Sequence, residues 1–157
     1  MSIVAYGLNH RTASVELRER IAFPEENLGN MLNQLTRDLG NIREAAIIST
    51  CNRTELYCSL SDDNTRDIGQ WLTAHRPVAL AELEGASYKH WDKDAAKHMI
   101  RVAAGLDSQM LGEPQIMGQV KAAYEVARKT GTIGPDLDLL SRMTLSTAKD
   151  IRAQTEI

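Results

Sequence analysis

Two apolar runs separated by a short polar segment constrain the fold of this chain more than any other feature of its sequence. Ala45–Ile48 is apolar, the residues that follow it are polar, and an apolar pattern resumes at Leu56. Short apolar runs bounded by polar residues predict strands, here near 44–50 and 54–60. We therefore expect a β-sheet in which two strands flank a short polar segment.

Cys51 lies in that polar segment, within the stretch Ser49–Tyr57. If the segment is extended, its side chains alternate between two faces, so Cys51, Arg53 and Glu55 share one face. A thiol reacts as its thiolate, and a neighbouring guanidinium favours that charged form and can also hold a carboxylate through two hydrogen bonds. A cysteine in a strand is, however, more often a small buried hydrophobic residue. The spacing alone therefore leaves both roles open for Cys51.

The rest of the first half alternates between strands and helices. The predicted elements are a strand over 3–9, a helix over Val15–Phe23, an amphipathic helix from Pro24 to a cap at Gly40, a helix that carries Ile68, Trp71 and Leu72, and a strand over Ser87–Trp91. With the two strands above, the order is strand, helix, strand, strand, helix, strand. This order is that of a split βαβ sandwich, an α+β fold with helices on one face of an antiparallel sheet.

The second half is predicted to be helical. The predicted helices run over Ala95–Ala104 with Asp92 or Asp94 as N-cap and Gly105 as stop, from Pro114 to near Gly131, and from Pro135 to the last residue. We therefore divide the chain into an α/β sandwich part over 1–91 and a helical part over 92–157. The last helix has no stop signal behind it, which predicts that the chain is a fragment of a longer protein.

Composition and charge exclude several classes of protein. The chain has 157 residues, 43% of them hydrophobic and 25% charged, as is typical of a globular protein. The net charge of -3 excludes a strongly basic nucleic-acid binder, although a local patch could still meet RNA. The sequence has no long apolar run and no signal-peptide pattern at its N-terminus, so we expect a cytoplasmic protein without a membrane partner.

Neither a metal site nor a nucleotide site can be read from the spacing of the candidate ligands. Cys51 and Cys58 lack the close spacing of the ligand pair in a zinc knuckle, and His90 and His98 are also too far apart in sequence to form such a pair. The glycines between 105 and 118 form neither a dinucleotide fingerprint nor a phosphate loop. We therefore predict no metal and two free thiols, with Cys58 in the core.

Three groups of residues, taken together, resemble one known family. The first is Gly7–Ala13, the second is Ser49–Tyr57, and the third comprises Gly105–Ser108, Leu111–Ile116 and Gly118–Lys121. Their sequences and their order closely resemble the N-terminal catalytic domain of glutamyl-tRNA reductase. The resemblance spans nearly the whole chain, which makes it far more specific than a match to one short pattern.

The resemblance implies a reaction, a cofactor and partners. Members of the family reduce the ester of glutamyl-tRNA with NADPH to glutamate-1-semialdehyde, the first step of tetrapyrrole synthesis by the five-carbon route. They are dimers that also contain an NADPH-binding domain and a dimerisation domain, so residues 1–157 would be the catalytic domain without the other two. We therefore expect NADPH as the cofactor of the parent enzyme and none bound by this fragment, which would be monomeric and not competent for the reduction. The implied partners are glutamyl-tRNA and glutamate-1-semialdehyde aminotransferase.

The resemblance also assigns roles to residues around Cys51. Cys51 would attack the carbonyl of the aminoacyl ester and release tRNA, leaving a glutamyl thioester for hydride to reduce. Arg53 would bind the glutamate side-chain carboxylate, and Glu55 would orient Arg53 or the substrate amine. Thr50 and Ser108 would supply neutral hydrogen-bonding groups to the substrate. Further substrate contacts are expected from Asn9, Glu113 and Gln115.

His98 is the histidine to which the resemblance assigns general acid and base catalysis. A histidine on the apolar face of a helix is more often a buried core residue than a catalyst. However, His98 lies ten residues before Ser108, as the active-site histidine of the family does. An imidazole that titrates near neutral pH can relay a proton at the ester directly or through one water. His90, on the predicted strand, is the rival candidate.

Two functions from other classes remain open. An RNA-binding or protein-interaction module could use the same sheet, but aromatic residues make up 4% of the chain, with a single Phe at position 23 to stack on bases. A cysteine hydrolase would share Cys51 and a histidine and would need no hydride donor. A binding module would form no covalent adduct with glutamyl-tRNA, a hydrolase would turn over freely, and a reductase fragment would form a thioester.

Overall fold

The computed structural model describes residues 2–155, in which four strands are followed by a helical second half. In chain order the elements are β1 (Ser2–Asn9), α1 (Val15–Ile21), a 3₁₀ turn (Glu25–Asn27), α2 (Leu28–Asp38), β2 (Ile42–Ser49), β3 (Arg53–Leu60), α3 (Arg66–His75), α4 (Leu80–Ala86), β4 (Tyr88–Trp91), α5 (Asp92–Ala103), α6 (Ile116–Thr130) and α7 (Pro135–Thr155). All the predicted strands and helices are present, with ends that differ by a few residues, and the last two residues of the predicted final helix lie outside the described residues.

The four strands form one antiparallel sheet in the order β2-β3-β1-β4. Strand β3 lies between β1 and β2 and runs antiparallel to both. The first two strands are therefore parallel to each other and separated by β3, which is the arrangement of a split βαβ unit. The predicted α+β class and antiparallel sheet are confirmed.

Helices cover both faces of this sheet. Glu55 of β3 contacts His98 of α5, and Ser59 on the same face of β3 donates to Asp136 of α7 at 3.0 Å. On the opposite face, the hydroxyl of Tyr6 lies against α3. The helical second half therefore packs directly on the face of the sheet that carries Arg53 and Glu55, and β3 is buried along its whole length.

Glu44 of β2 fastens the last helix to the sheet. Its buried carboxylate accepts hydrogen bonds from the backbone N–H groups of Gly134 at 2.7 Å, Leu137 at 2.8 Å and Asp136 at 3.1 Å. These groups belong to the first turn of α7, where backbone N–H groups have no partner within the helix. A carboxylate at that position also interacts favourably with the helix dipole.

Three sequence expectations about element ends are corrected, and one helix was not expected. Helix α2 ends at Asp38, and its C-cap is Leu39 in an extended conformation, so Gly40 is not the cap. Asp92 is the first residue of α5, has a φ of 48°, and accepts from the N–H of Ile3 at 2.9 Å, so it ties α5 to β1 instead of capping its own helix. Helix α6 begins at Ile116 rather than at Pro114, and the seven-residue helix α4 was not predicted.

Candidate active site

Cys51 lies at the tip of the turn that joins β2 to β3. The N–H of Thr50 donates to the carbonyl of Arg53 at 2.8 Å, and the Thr50 hydroxyl accepts from the N–H of Asn52 at 3.2 Å. This turn reverses the chain, so Cys51 is exposed and does not share the strand face with Arg53 and Glu55, as an extended segment would require. The sequence expectation of one shared surface was wrong because the polar residues form a tight turn instead of a strand.

The second cysteine has a different environment. Cys58 is buried on β3, and burial raises the pKa of its thiol to about 12. A thiol with such a pKa is protonated at neutral pH and is a poor nucleophile. Of the two cysteines, Cys51 is therefore the one that a substrate can reach.

Glu55 is the centre of a buried hydrogen-bond cluster on the face of β3 that packs against the helical second half. Its carboxylate accepts from Tyr57 Oη at 2.6 Å, from Arg53 Nη1 at 3.2 Å, from His98 Nε2 at 2.5 Å, and from the hydroxyl of Tyr88. Burial alone raises the pKa of a carboxyl group, but the hydrogen bond and charge of His98, together with Arg53 and Tyr57, hold the pKa of Glu55 at about 2. Glu55 is therefore ionised at neutral pH.

The ionised Glu55 determines the tautomer of His98. A carboxylate can only accept, so the proton of a neutral His98 ring lies on Nε2, and Nδ1 is the nitrogen left to accept a proton. The ring of His98 stacks on the ring of His90 with centroids 4.4 Å apart. Burial lowers the pKa of His90, and the charge of His98 lowers it further. The arrangement resembles the orienting half of a catalytic triad, with Glu55 as the residue that orients the imidazole.

Arg53 is bound on both sides by protein groups. Its side chain is 1% exposed, its Nη1 donates to Glu55, and its Nη2 donates to the Asp107 carboxylate at 3.1 Å and to the Asp107 carbonyl at 2.6 Å. Asp107 also accepts from Asn9 Nδ2 at 3.3 Å and from Arg11 Nη1 at 3.2 Å. A protein carboxylate thus occupies the position that was predicted for the carboxylate of the substrate.

The predicted site residues fall around three clefts. Cys51 lines one cleft of about 570 Å³ together with Glu113 and Gln115. It also lines a second cleft of about 390 Å³ together with Thr50. His98 lies with Asn9 in a third cleft of about 450 Å³, and Ser108 is buried in the loop that follows α5. The structure therefore places Cys51, the predicted nucleophile, and His98, the predicted general acid or base, in separate clefts.

Tyr57, Tyr88 and Asp107, which contact Glu55 or Arg53, were not predicted as site residues, and His90 was predicted only as the rival to His98. Tyr88 and His90 are two residues apart on β4 and lie on the face of the sheet that carries Glu55. Tyr57 is two residues beyond Glu55 on β3 and lies on the same face. The alternation of strand side chains could have indicated all three, because residues at i and i+2 share a face. Asp107 lies beside Ser108 in a recognised motif, but no local pattern shows that it pairs with a residue on β3.

Two classes of site are absent from the part of the chain that the structure describes. Within residues 2–155, no three His, Cys, Asp or Glu side chains come together in a way that could hold a metal ion. None of the helices in this range has both the length and the apolar character needed to cross a bilayer.

Comparison with known proteins gives the family. The chain is 52% identical over its whole length to glutamyl-tRNA reductase of Pseudomonas aeruginosa and to that of Pseudomonas putida, and it spans 37% of the length of each of these relatives. The solved structure of glutamyl-tRNA reductase from Methanopyrus kandleri superimposes with a TM-score of 0.81 at 27% identity, covering 97% of this chain and 34% of that one. Residues 6–155 match the family described as glutamyl-tRNAGlu reductase, N-terminal domain, and the chain therefore belongs to that family.

Proposed function

We propose that this chain is the acyl-transfer domain of a glutamyl-tRNA reductase, in which Cys51 forms a thioester with the glutamyl group of glutamyl-tRNA. The observation that carries the proposal is the exposed thiol of Cys51 at the tip of a tight turn, beside two clefts, in a chain of this family. The sulfur attacks the ester carbonyl, a carbon–sulfur bond forms, and the carbon–oxygen bond to the tRNA ribose breaks. The tRNA oxygen leaves with a proton, and the glutamyl group stays on Cys51.

His98 is the proposed source and acceptor of that proton. Because Glu55 holds Nε2, Nδ1 is the ring nitrogen left to exchange a proton, and His98 lines a cleft together with Asn9. The clefts that contain Cys51 have other linings, so His98 acts on the leaving ribose or through one water rather than on the thiol itself. Glu55 contributes by fixing the ring and by stabilising its protonated form, as the carboxylate of a triad does.

Arg53 is the proposed group for the side-chain carboxylate of the substrate. In the free chain its Nη2 donates to the carboxylate of Asp107, which is also held by Asn9 and Arg11. The substrate carboxylate would replace Asp107 on this nitrogen, and Asp107 would keep its other two partners. Thr50, Glu113 and Gln115 line the clefts beside Cys51 and are proposed to contact the rest of the glutamyl group; Ser108 is proposed as a further contact.

The reduction, the cofactor and the partners of the longer enzyme belong to the same proposal. NADPH supplies a hydride to the thioester in the proposed parent reaction, which would yield glutamate-1-semialdehyde. The strand-to-helix connections within residues 2–155 carry no glycine-rich turn of the dinucleotide-binding type, so these residues do not fit the cofactor. We further propose that this chain is one domain of a cytoplasmic homodimer that passes its product to glutamate-1-semialdehyde aminotransferase.

The experiment that tests the proposal is the capture of the thioester. The 157-residue chain is mixed with tRNA that carries labelled glutamate, quenched in acid and examined for labelled protein that hydroxylamine releases. We expect the label on the wild-type chain and on Cys58→Ser, because Cys58 is buried, and none on Cys51→Ser. Label that survives in Cys51→Ser would show that the nucleophile is another residue.

The same experiment separates the alternative functions. A cysteine hydrolase would release glutamate in many turnovers with little adduct at any time. An RNA-binding module would retain the tRNA without any transfer of label. The proposed domain should instead transfer one glutamyl group per chain and lose it slowly to water.

A further inference from the structure

Two arginines are buried next to the Cys51 turn, and they have opposite electrostatic environments. Arg53 is 1% exposed and pairs with two carboxylates. Arg18 of α1 is 8% exposed, yet no carboxylate within the described residues lies within salt-bridge distance of it. Burying a charge is costly unless the charge is paired, so an unpaired buried guanidinium needs an explanation.

Arg18 is fixed by backbone carbonyl groups on the two segments that surround it. Its Nε donates to the carbonyl of Cys51 at 3.2 Å, and its Nη1 donates to the carbonyl of Ala13 at 2.8 Å. These contacts use two of the five N–H donors of a guanidinium. They hold the group in one position and leave its positive charge without a counterion among residues 2–155.

Arg18 lines a cleft that also contains Cys51. This cleft is also lined by Val15 and Glu19 of α1 and by Ala22 just after it. The other cleft beside Cys51 contains Glu113 and no cation. Glu19 in the first cleft is exposed and forms no ion pair with Arg18, so an anionic ligand that approaches Cys51 finds a guanidinium fixed by backbone carbonyl groups only in that cleft.

We propose that Arg18 binds an anionic oxygen group of the acyl donor in the cleft that it shares with Cys51. The inference rests on the proposed function for the identity of the donor, and on the contacts of Arg18 for the anion site itself. A glutamyl-tRNA carries two such groups near the ester, the phosphodiester that precedes the terminal adenosine and the side-chain carboxylate. A planar guanidinium with free donors binds either through paired charge-assisted hydrogen bonds.

The anion site is tested first without tRNA, by alkylation of Cys51. Iodoacetate and iodoacetamide both form a carbon–sulfur bond at the thiolate and release iodide, and they differ in carrying a carboxylate or a neutral amide. The measured quantity is the rate constant for iodoacetate divided by the rate constant for iodoacetamide. Changes in the ionisation or exposure of the thiol affect both rate constants and cancel in this ratio. We expect this ratio to fall about tenfold in Arg18→Gln, because the carboxylate reagent loses a charge-assisted partner.

Arg20→Gln is the matched control, because it removes the same charge from the same helix. Arg20 already pairs with Glu82, at 2.9 Å and 2.5 Å, so its loss should leave the ratio within about twofold of wild type. Arg18→Lys keeps the charge without the planar fork, should remain folded if Arg18→Gln does not, and should give an intermediate ratio. Equal ratios in the wild-type chain and the Arg18 variants would overturn the proposal.

Acylation then identifies the source of the anion. Arg18→Gln is compared with wild type using glutamyl-tRNA and the glutamyl ester of adenosine, which has the carboxylate and no phosphate. Slower acylation by both substrates assigns the carboxylate to Arg18 and withdraws it from Arg53, and slower acylation by glutamyl-tRNA alone assigns the phosphodiester to Arg18. Unchanged acylation by both would overturn the assignment to the acyl donor. If Arg18→Gln lowers the alkylation ratio but the wild-type chain is acylated by neither ester, the proposed function is contradicted and the anion site is still supported.

Discussion

His98 donates from Nε2 to Glu55 and stacks on His90, so substitutions of the two histidines test which of them takes part in catalysis. We predict that His98→Asn slows acylation of Cys51 by about 10²-fold, as loss of a general acid or base commonly does. Rates are measured by quenched-flow capture of labelled adduct, with circular dichroism to verify the fold. His90→Asn is the control, because His90 contacts His98 but not Glu55. A larger loss in His90→Asn with an intact fold would transfer the role to His90.

Glu55 should make stability depend on pH in a defined window. Its pKa falls from 4.5 to about 2 in the folded chain, so its ionisation stabilises the fold above about pH 4.5 and loses this effect as the pH falls toward 2. Glu55→Gln leaves Arg53 and His98 without their shared anion, which should cost about 3 kcal/mol at pH 7. Urea unfolding of both chains between pH 7 and pH 3 measures the difference. We expect the difference to shrink below about pH 4.5, and a difference that stays constant with pH would contradict the role given to Glu55.

At the scale of elements, Glu44 joins the first half of the chain to the second. It accepts three N–H groups at the start of α7 from its position on β2. We predict that Glu44→Ala lowers the free energy of unfolding by about 2 kcal/mol, because buried N–H groups at a helix start lose their acceptor. Arg43→Ala, at the exposed neighbouring position, should change it by less than about 0.5 kcal/mol. Urea denaturation of the wild-type chain and the two variants measures these free energies. Equal decreases in Glu44→Ala and Arg43→Ala would show that Glu44 does not cap α7.

Elements that follow local rules could be predicted from the sequence, and contacts between distant residues could not. The strands around Cys51, the stop at Gly105 and the start of α7 at Pro135 all follow from periodicity and capping residues near them. The pairing of Arg53 with Asp107 joins residues 54 positions apart, and no local pattern indicates it. The turn at Cys51 was predicted as extended because its residues carry no glycine or proline to mark it.

Across the whole molecule, the last helix reaches the loop that carries the site residues. Arg152 of α7 donates to the carbonyl of Ala104 at 3.0 Å, to that of Glu113 at 3.2 Å and to that of Gly112 at 3.3 Å. Its guanidinium comes so near Gly105 that a Cβ there would lie 2.9 Å from Nη1. One side chain therefore closes both ends of the segment that contains Asp107 and Ser108.

This contact predicts that a substitution far along the chain weakens acyl transfer. Arg152→Gln removes donors that bridge both ends of the loop, so residues 105–113 should exchange backbone hydrogen about tenfold faster, as expected for the loss of about one net hydrogen bond. Acylation of Cys51 should slow by a similar factor, because Asp107 and Glu113 lose their fixed positions beside Arg53 and Cys51. Hydrogen exchange followed by mass spectrometry and adduct capture measure the two effects. Lys149→Gln, which removes a charge from an exposed position of the same helix, should leave both unchanged. If Arg152→Gln is acylated at the wild-type rate while the backbone hydrogens of residues 105–113 exchange faster, the loop does not position the reacting groups.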